Sequence, residues 1–125
     1  SRTTEGVWIW APPYGAAAKD DREGLATLIE TALAASREGV RHPHPDWKSH
    51  MAPMLNLAGV RSYKSFAAGA RCVQATRRGD RLTLTPLRNG GPKEGFVGVD
   101  GTERVAAASG TALADDLLRA FEDAA

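Results

Sequence analysis

The second half of the chain contains a series of short segments in which apolar and polar residues alternate. Alternation with a period of two is typical of β-strands that bury one face and expose the other. The β-prone segments are 62–66, 70–77, 81–86, 95–99 and 103–107. Helical patterns lie before and after this series, which favours an antiparallel sheet covered by helices. We therefore predict an α+β fold with a mostly antiparallel β-sheet packed with helices.

The dipeptide Gly79-Asp80 separates two of these segments and is a favourable pair for a tight hairpin turn. In the strand that follows, the alternation predicts that Leu82 and Leu84 face the core. The same alternation directs Thr83 and Thr85 toward solvent, together with Arg81. We predict a half-solvated antiparallel hairpin at this point.

The chain has 125 residues, of which 42% are hydrophobic and 25% charged, as is typical of one globular domain. We assign residues 1–125 to a single domain. No apolar run approaches the roughly 20 residues that cross a bilayer, and the first residues do not resemble a signal peptide. Cys72 is the only cysteine, which suits a reducing compartment and indicates a small buried residue rather than a nucleophile. We expect a cytoplasmic protein without membrane contact.

Apolar residues at helical spacing precede the strand series. They are Leu25, Leu28, Ile29, Ala32 and Leu33. The spacing predicts a helix over about 21–37, and Asp20 with Glu23 is predicted to cap its N-terminus. Further upstream, the apolar run at 7–10 is bounded by turn residues and is predicted to be a strand.

A second helical pattern closes the chain over about 111–123. Its apolar side consists of Leu113, Leu117, Phe121 and Ala124, with Leu118 at the margin. Charged residues occupy the opposite side: Asp115, Asp116, Arg119, Glu122 and Asp123. The pattern predicts an amphipathic helix with an acidic solvent face.

All three histidines lie within residues 42–50. His42 and His44 share one side of an extended segment, as the first two ligands of several zinc sites do, and His50 could add a third. Because no histidine occurs elsewhere, only carboxylates or Cys72 could complete such a site. Two prolines instead favour a surface loop from 40 to 47 that is anchored by Trp47, followed by a short helix over 51–57. We expect no metal, although a small metal-dependent hydrolase that uses these histidines remains an alternative.

Charge is distributed unevenly along the chain. Residues 61–93 contain eight basic residues and one acid, whereas residues 94–125 contain seven acids and two basic residues. Such a partition indicates a charged partner or opposite patches that face each other in the fold. One alternative function is therefore a small nucleic-acid-binding domain that uses the basic hairpin 71–93.

Three ordered segments carry a resemblance to a known family. The first is Leu57, Gly59, Val60, Arg61, Ser62, Tyr63 and Lys64; the second is Thr85 and Pro86; the third is Gly95, Phe96 and Val97. In this order, and followed by the acidic terminal helix, they resemble the immunity proteins of bacterial contact-dependent growth inhibition systems. The likeness covers about 47–123, although Tyr63 stands where the family pattern has tryptophan.

The resemblance implies a cytoplasmic toxin inhibitor that has no catalytic activity and needs no cofactor. Its partner would be the C-terminal domain of a cognate toxin, often a nuclease, and no nucleic acid is expected to bind. Because a nuclease needs a cationic cleft, carboxylates are expected to contact it. The candidate toxin-binding residues are Asp115, Asp116, Glu122 and Asp123 of the acidic helix face, with Trp47, Tyr14, His42 and His44 as further anchors.

Overall fold

The computed structural model describes residues 1, 4, 14–39, 47–99 and 101–124. For residues 47, 48, 92 and 93 it describes the backbone alone. The predicted strand at 7–10 lies outside these residues, as do His42 and His44 and most of the predicted loop.

Helices and strands follow one another in the order helices, hairpin, short strands and closing helix. The elements are α1 (Arg22–Ala35), α2 (Trp47–Ala58), α3 (Tyr63–Ala67), β1 (Cys72–Arg78), β2 (Arg81–Asn89), α4 (Gly91–Glu94), β3 (Phe96–Gly98), β4 (Arg104–Ala106) and α5 (Gly110–Asp123). All strand pairs are antiparallel, which confirms the predicted α+β class. Across the described ranges, no helix has the length and apolar character that a membrane span requires.

Strand β2 forms the centre of the sheet. One of its edges pairs with β1 over the register from Cys72–Leu87 to Arg78–Arg81. The other edge pairs with two short strands, β4 opposite residues 82–84 and β3 opposite residues 87–89. The interruption between them coincides with Pro86, which lacks the backbone N–H that a continuous ladder needs.

The core lies between one face of this sheet and the helices α1 and α5. Leu84 packs with Leu117 and Ala120 of α5, and all three residues are buried. Leu25 and Ile29 of α1 pack against the same cluster. The apolar stripes that predicted both helices are therefore the faces that cover the sheet.

The hairpin has the predicted two-residue turn. Gly79 has a φ of 59° and no residue other than glycine has a positive φ among those described, which is the pattern of a type II′ turn. Leu82 is 1% exposed and Leu84 is fully buried, whereas Arg81 is exposed. The predicted assignment of the two faces of β2 is confirmed.

The cap of α1 differs from the prediction by one residue. The Asp21 carboxylate, and not that of Asp20, accepts a hydrogen bond from the Gly24 N–H at 3.0 Å. A capping side chain bonds the amide two or three positions along the helix. Because the helix begins at Arg22, only Asp21 has that spacing.

Residues 62–66 were predicted to form a strand, and this is wrong, because the segment belongs to α3. The Ser62 hydroxyl accepts a hydrogen bond from the Ser65 N–H at 3.1 Å and so caps the short helix. Local capping by a serine competes successfully with the β propensity of Tyr63 and Phe66. The C-terminal end of α3 is tied to β2, because Asn89 Nδ2 donates to the Ala67 and Ala70 carbonyls at 2.9 and 3.0 Å.

Helix α2 is longer than predicted. It begins at Trp47, which the sequence assigned to a loop, and it contains Pro53. Gly59, with a φ of 72°, ends it as predicted, and the Val60 N–H donates to the Leu55 carbonyl at 3.1 Å. The segment from Leu57 to Ser62 is therefore a compact connection between two helices.

Candidate functional site

The acidic side of α5 is engaged with other parts of the chain. Asp115 Oδ1 accepts a hydrogen bond from Arg22 Nε of α1 at 2.6 Å, and the two side chains are 44% and 55% exposed. Asp123 pairs with Arg104 of β4. Two of the predicted toxin-binding carboxylates thus bridge α5 to its neighbours in the fold.

Asp116 has a structural role as well. Its Oδ2 accepts a hydrogen bond from the Ala107 N–H at 2.9 Å, and its Oδ1 lies 3.4 Å from Arg119 Nη1. The first bond links α5 to the segment that follows β4. Glu122 is exposed and is the acid of this side that forms no ion pair among the described residues.

Of the remaining predicted contact residues, Tyr14 is the one whose side chain the structure describes. Tyr14 lines an apolar cavity of about 560 Å³ together with Leu28, Met54 and Phe66. Its hydroxyl oxygen is buried and forms no hydrogen bond within the described ranges, and burial raises the pKa of this phenol. Trp47 begins α2, and His42 and His44 lie outside the described residues.

The structure brings no metal-binding cluster together in the ranges that it describes: no three histidine, cysteine, aspartate or glutamate side chains meet there. His50 lies in α2 and is half-buried. Cys72 is also half-buried, and burial raises the pKa of its thiol, so the reactive thiolate is disfavoured. The cysteine is thus less buried than the sequence predicts, and its lack of a nucleophilic role stays a prediction.

The face of the hairpin that points away from the core carries a different set of side chains. Arg78 and Arg81 are directly opposite each other beside the turn, and the next matched pair on this face is Thr76 with Thr83. Across β2, Thr83 also pairs with Val105 of β4. Thr85 is the next residue of β2 on this side. We use the name open face for these six residues: Thr76, Arg78, Arg81, Thr83, Thr85 and Val105.

A shallow groove of about 430 Å³ runs over the open face. Its lining consists of Thr76, Arg78, Arg81, Thr83, Thr85, Glu103, Arg104 and Val105. Both arginines at its end are exposed, and Val105 is 59% exposed. The groove can therefore offer guanidinium donors, threonine hydroxyls and one apolar side chain to a partner.

Two other basic residues of the chain's middle have partners within the fold. Arg88 Nη2 donates to Glu94 Oε1 at 2.7 Å, and this hydrogen bond and charge raise the pKa of the guanidinium. Arg71 Nη1 donates to the Phe121 carbonyl at 3.2 Å. Arg77, Arg78 and Arg81 form no ion pair with any described residue, so uncompensated positive charge gathers at the hairpin tip.

Sequence reasoning located the strand and its outward residues and offered the basic hairpin 71–93 as an alternative nucleic-acid site, but it did not choose the open face as the toxin contact. The signal was present, because Arg81, Thr83 and Thr85 alternate with buried leucines. The predicted two-residue turn also places Arg78 opposite Arg81. What the sequence did not contain was the pairing of Thr83 with Val105. No family model, curated protein or solved structure matches this chain.

Proposed function

We propose that this chain is an immunity-type protein that neutralises a cognate toxin domain by stoichiometric binding in the cytoplasm, without catalysis of its own. The observation that carries the proposal is the ordered set of three segments that resembles contact-dependent growth inhibition immunity proteins. Each segment has a defined architectural role in the described structure.

The first segment, from Leu57 to Lys64, covers the end of α2, the connection 59–62 and the start of α3. Gly59 supplies the left-handed conformation that ends α2, and Ser62 caps α3. Such a short connection constrains the direction in which one helix leaves the other. The family-like residues therefore belong to the scaffold.

The second and third segments belong to two paired strands of the sheet, where Phe96 and Val97 lie opposite Asn89 and Arg88. Pro86 is buried in β2 at the interruption between β3 and β4, and Phe96 begins β3. A shared scaffold with variable surfaces is what a set of inhibitors requires when each must recognise a different toxin. The open face is one surface on which such recognition can be built.

The proposal predicts that the reading frame immediately upstream encodes the toxin domain, and co-expression with that domain tests it. Cells that express the toxin domain alone should stop growing, and cells that also express this chain should grow. An inactive toxin domain serves as the growth control. Continued arrest in the presence of soluble, folded chain would contradict the proposal.

A physical measurement accompanies the growth assay. The purified chain and the toxin domain should elute as one species whose mass, measured by light scattering, corresponds to one copy of each. Stoichiometric complex formation separates inhibition by binding from enzymatic inactivation of the toxin, because an enzyme would protect at much less than one equivalent.

The exposed arginines favour a second candidate, a nucleic-acid-binding domain that uses the hairpin. Arg77, Arg78 and Arg81 are available for phosphate contacts. If all three contact duplex phosphates, the logarithm of the association constant should fall with the logarithm of salt concentration with a slope of about −2.7. Titration of a fluorescent duplex at several salt concentrations measures this slope, and a chain that does not bind the duplex at low salt excludes the candidate.

A further inference from the structure

The open face carries a like-charged pair that the fold itself does not neutralise. Arg78 and Arg81 occupy directly opposite positions across the hairpin, and both are exposed. Like charges at such positions repel each other. A carboxylate placed between the two guanidinium groups would remove this repulsion and gain charge-assisted hydrogen bonds.

Carboxylates of the chain itself lie in the neighbourhood but do not take this position. Asp80 lies in the turn and Glu103 lines the groove, and neither forms an ion pair with Arg78 or Arg81. By contrast, Arg22, Arg88 and Arg104 each pair with an acid of the chain. The exposed Arg61 and Lys64 also form no ion pair with a described residue, so what distinguishes the hairpin tip is that two such guanidinium groups stand directly opposite each other.

The composition of the open face favours a protein partner over a nucleic acid. The groove lining, in the part that the structure describes, contains no aromatic ring on which a base could stack. It contains arginine donors, threonine hydroxyls and the exposed Val105, which are groups that protein interfaces use together. Charge complementarity then requires the partner's surface to be acidic.

We propose that the open face of the hairpin is the surface that binds the toxin domain, through Arg78 and Arg81 against carboxylates of that domain and through Thr83 and Val105 beside them. This inference rests on the proposed function and reverses the polarity expected from the acidic helix. The contacts within the fold are made by Asp115, Asp116 and Asp123, whereas the two arginines contact the partner.

The test compares charge-reversed variants of the full-length chain that have equal net charge. Arg78→Glu/Arg81→Glu changes the open face. Lys19→Glu/Arg37→Glu makes the same change in net charge at exposed positions before and after α1. Binding to the purified toxin domain is measured by calorimetry at about 50 mM and about 300 mM NaCl, concentrations between which screening changes substantially.

We expect Arg78→Glu/Arg81→Glu to raise the dissociation constant about 100-fold or more and to abolish protection, because the new carboxylates would face those of the partner. Lys19→Glu/Arg37→Glu should stay within about threefold of wild type after electrostatic steering is screened at high salt. A cooperative urea transition at the wild-type midpoint shows that each variant is folded. Should the reversed pair unfold, Arg78→Gln/Arg81→Gln replaces it, with a loss of about 10-fold expected.

Three other outcomes are possible, and each contradicts one or both proposals. If Arg78→Glu/Arg81→Glu binds and protects like wild type, the open face is not the interface although the proposed function stands. If wild type neither binds nor protects, both proposals fail. If the variant keeps toxin binding but loses affinity for a fluorescent duplex, the face binds nucleic acid and the present inference is overturned.

Discussion

The two faces of β2 differ in whether the charged side chains near them have partners within the chain. On the core face, Leu82 and Leu84 are buried under α1 and α5, and the acids that border this packing have partners within the chain. On the open face, Arg78 and Arg81 stand opposite each other without such partners. Charged residues that form ion pairs between elements have their partners within the chain, whereas those on an uncovered face stay available for binding.

The largest effect that would test this contrast comes from adjacent residues on opposite faces. Leu84→Ala should lower the free energy of unfolding by about 2–5 kcal/mol, because the deleted atoms leave a cavity between β2 and α5. Thr83→Ala should lower it by less than about 1 kcal/mol, since only strand propensity and a half-buried surface are affected. Urea denaturation measures both values, and equal losses would refute the assignment of the faces.

An intermediate effect is expected where α5 is held by Asp116. Asp116→Ala should lower the free energy of unfolding by about 1–2 kcal/mol, because the partly buried Ala107 N–H loses its acceptor. Asp116→Asn keeps an oxygen acceptor and should lose less than half as much. Urea midpoints of the two variants check this order. If Asp116→Ala leaves stability unchanged and weakens toxin binding, the carboxylate belongs to the interface and not to the fold.

The smallest effect concerns the bridge between α1 and α5. Both partners of the Arg22–Asp115 pair are about half exposed, so a double-mutant cycle with Arg22→Ala and Asp115→Ala should give a coupling of about 0.2–1 kcal/mol that decreases in high salt. Toxin binding by Asp115→Ala should match wild type. If Asp115→Ala weakens toxin binding while the coupling between Arg22 and Asp115 has the expected size, the acidic helix is part of the toxin interface after all.

Predictions from the sequence succeeded where the local pattern and the buried environment agree. The hairpin is such a case, because Gly79-Asp80 suits the turn and the leucines of β2 alternate with polar residues. The terminal helix is another, since Leu113 and Leu117 follow helical spacing and are buried. In both segments, the residue spacing that is typical of the secondary structure is also the spacing that places apolar side chains in the core.

Predictions were wrong where a short segment had a capping residue that outweighed its propensity. Tyr63 and Phe66 are good strand formers, yet Ser62 begins a helix there. The candidate site was only partly predictable for a related reason. The sequence identified the charged residues but could not show that Arg22, which is 93 positions from Asp115, would neutralise it.

The sequence by itself determined the α+β class, the hairpin and the two amphipathic helices, because periodicity and turn chemistry are local properties of the chain. Only the tertiary structure decided which charges are available. Ion pairing depends on distances between residues that are remote along the chain, and the packing of α1 and β4 beside α5 supplies cations to its acids. The same packing supplies no acid to Arg78 and Arg81, which is why the open face and not the acidic helix emerges as the binding surface that we propose.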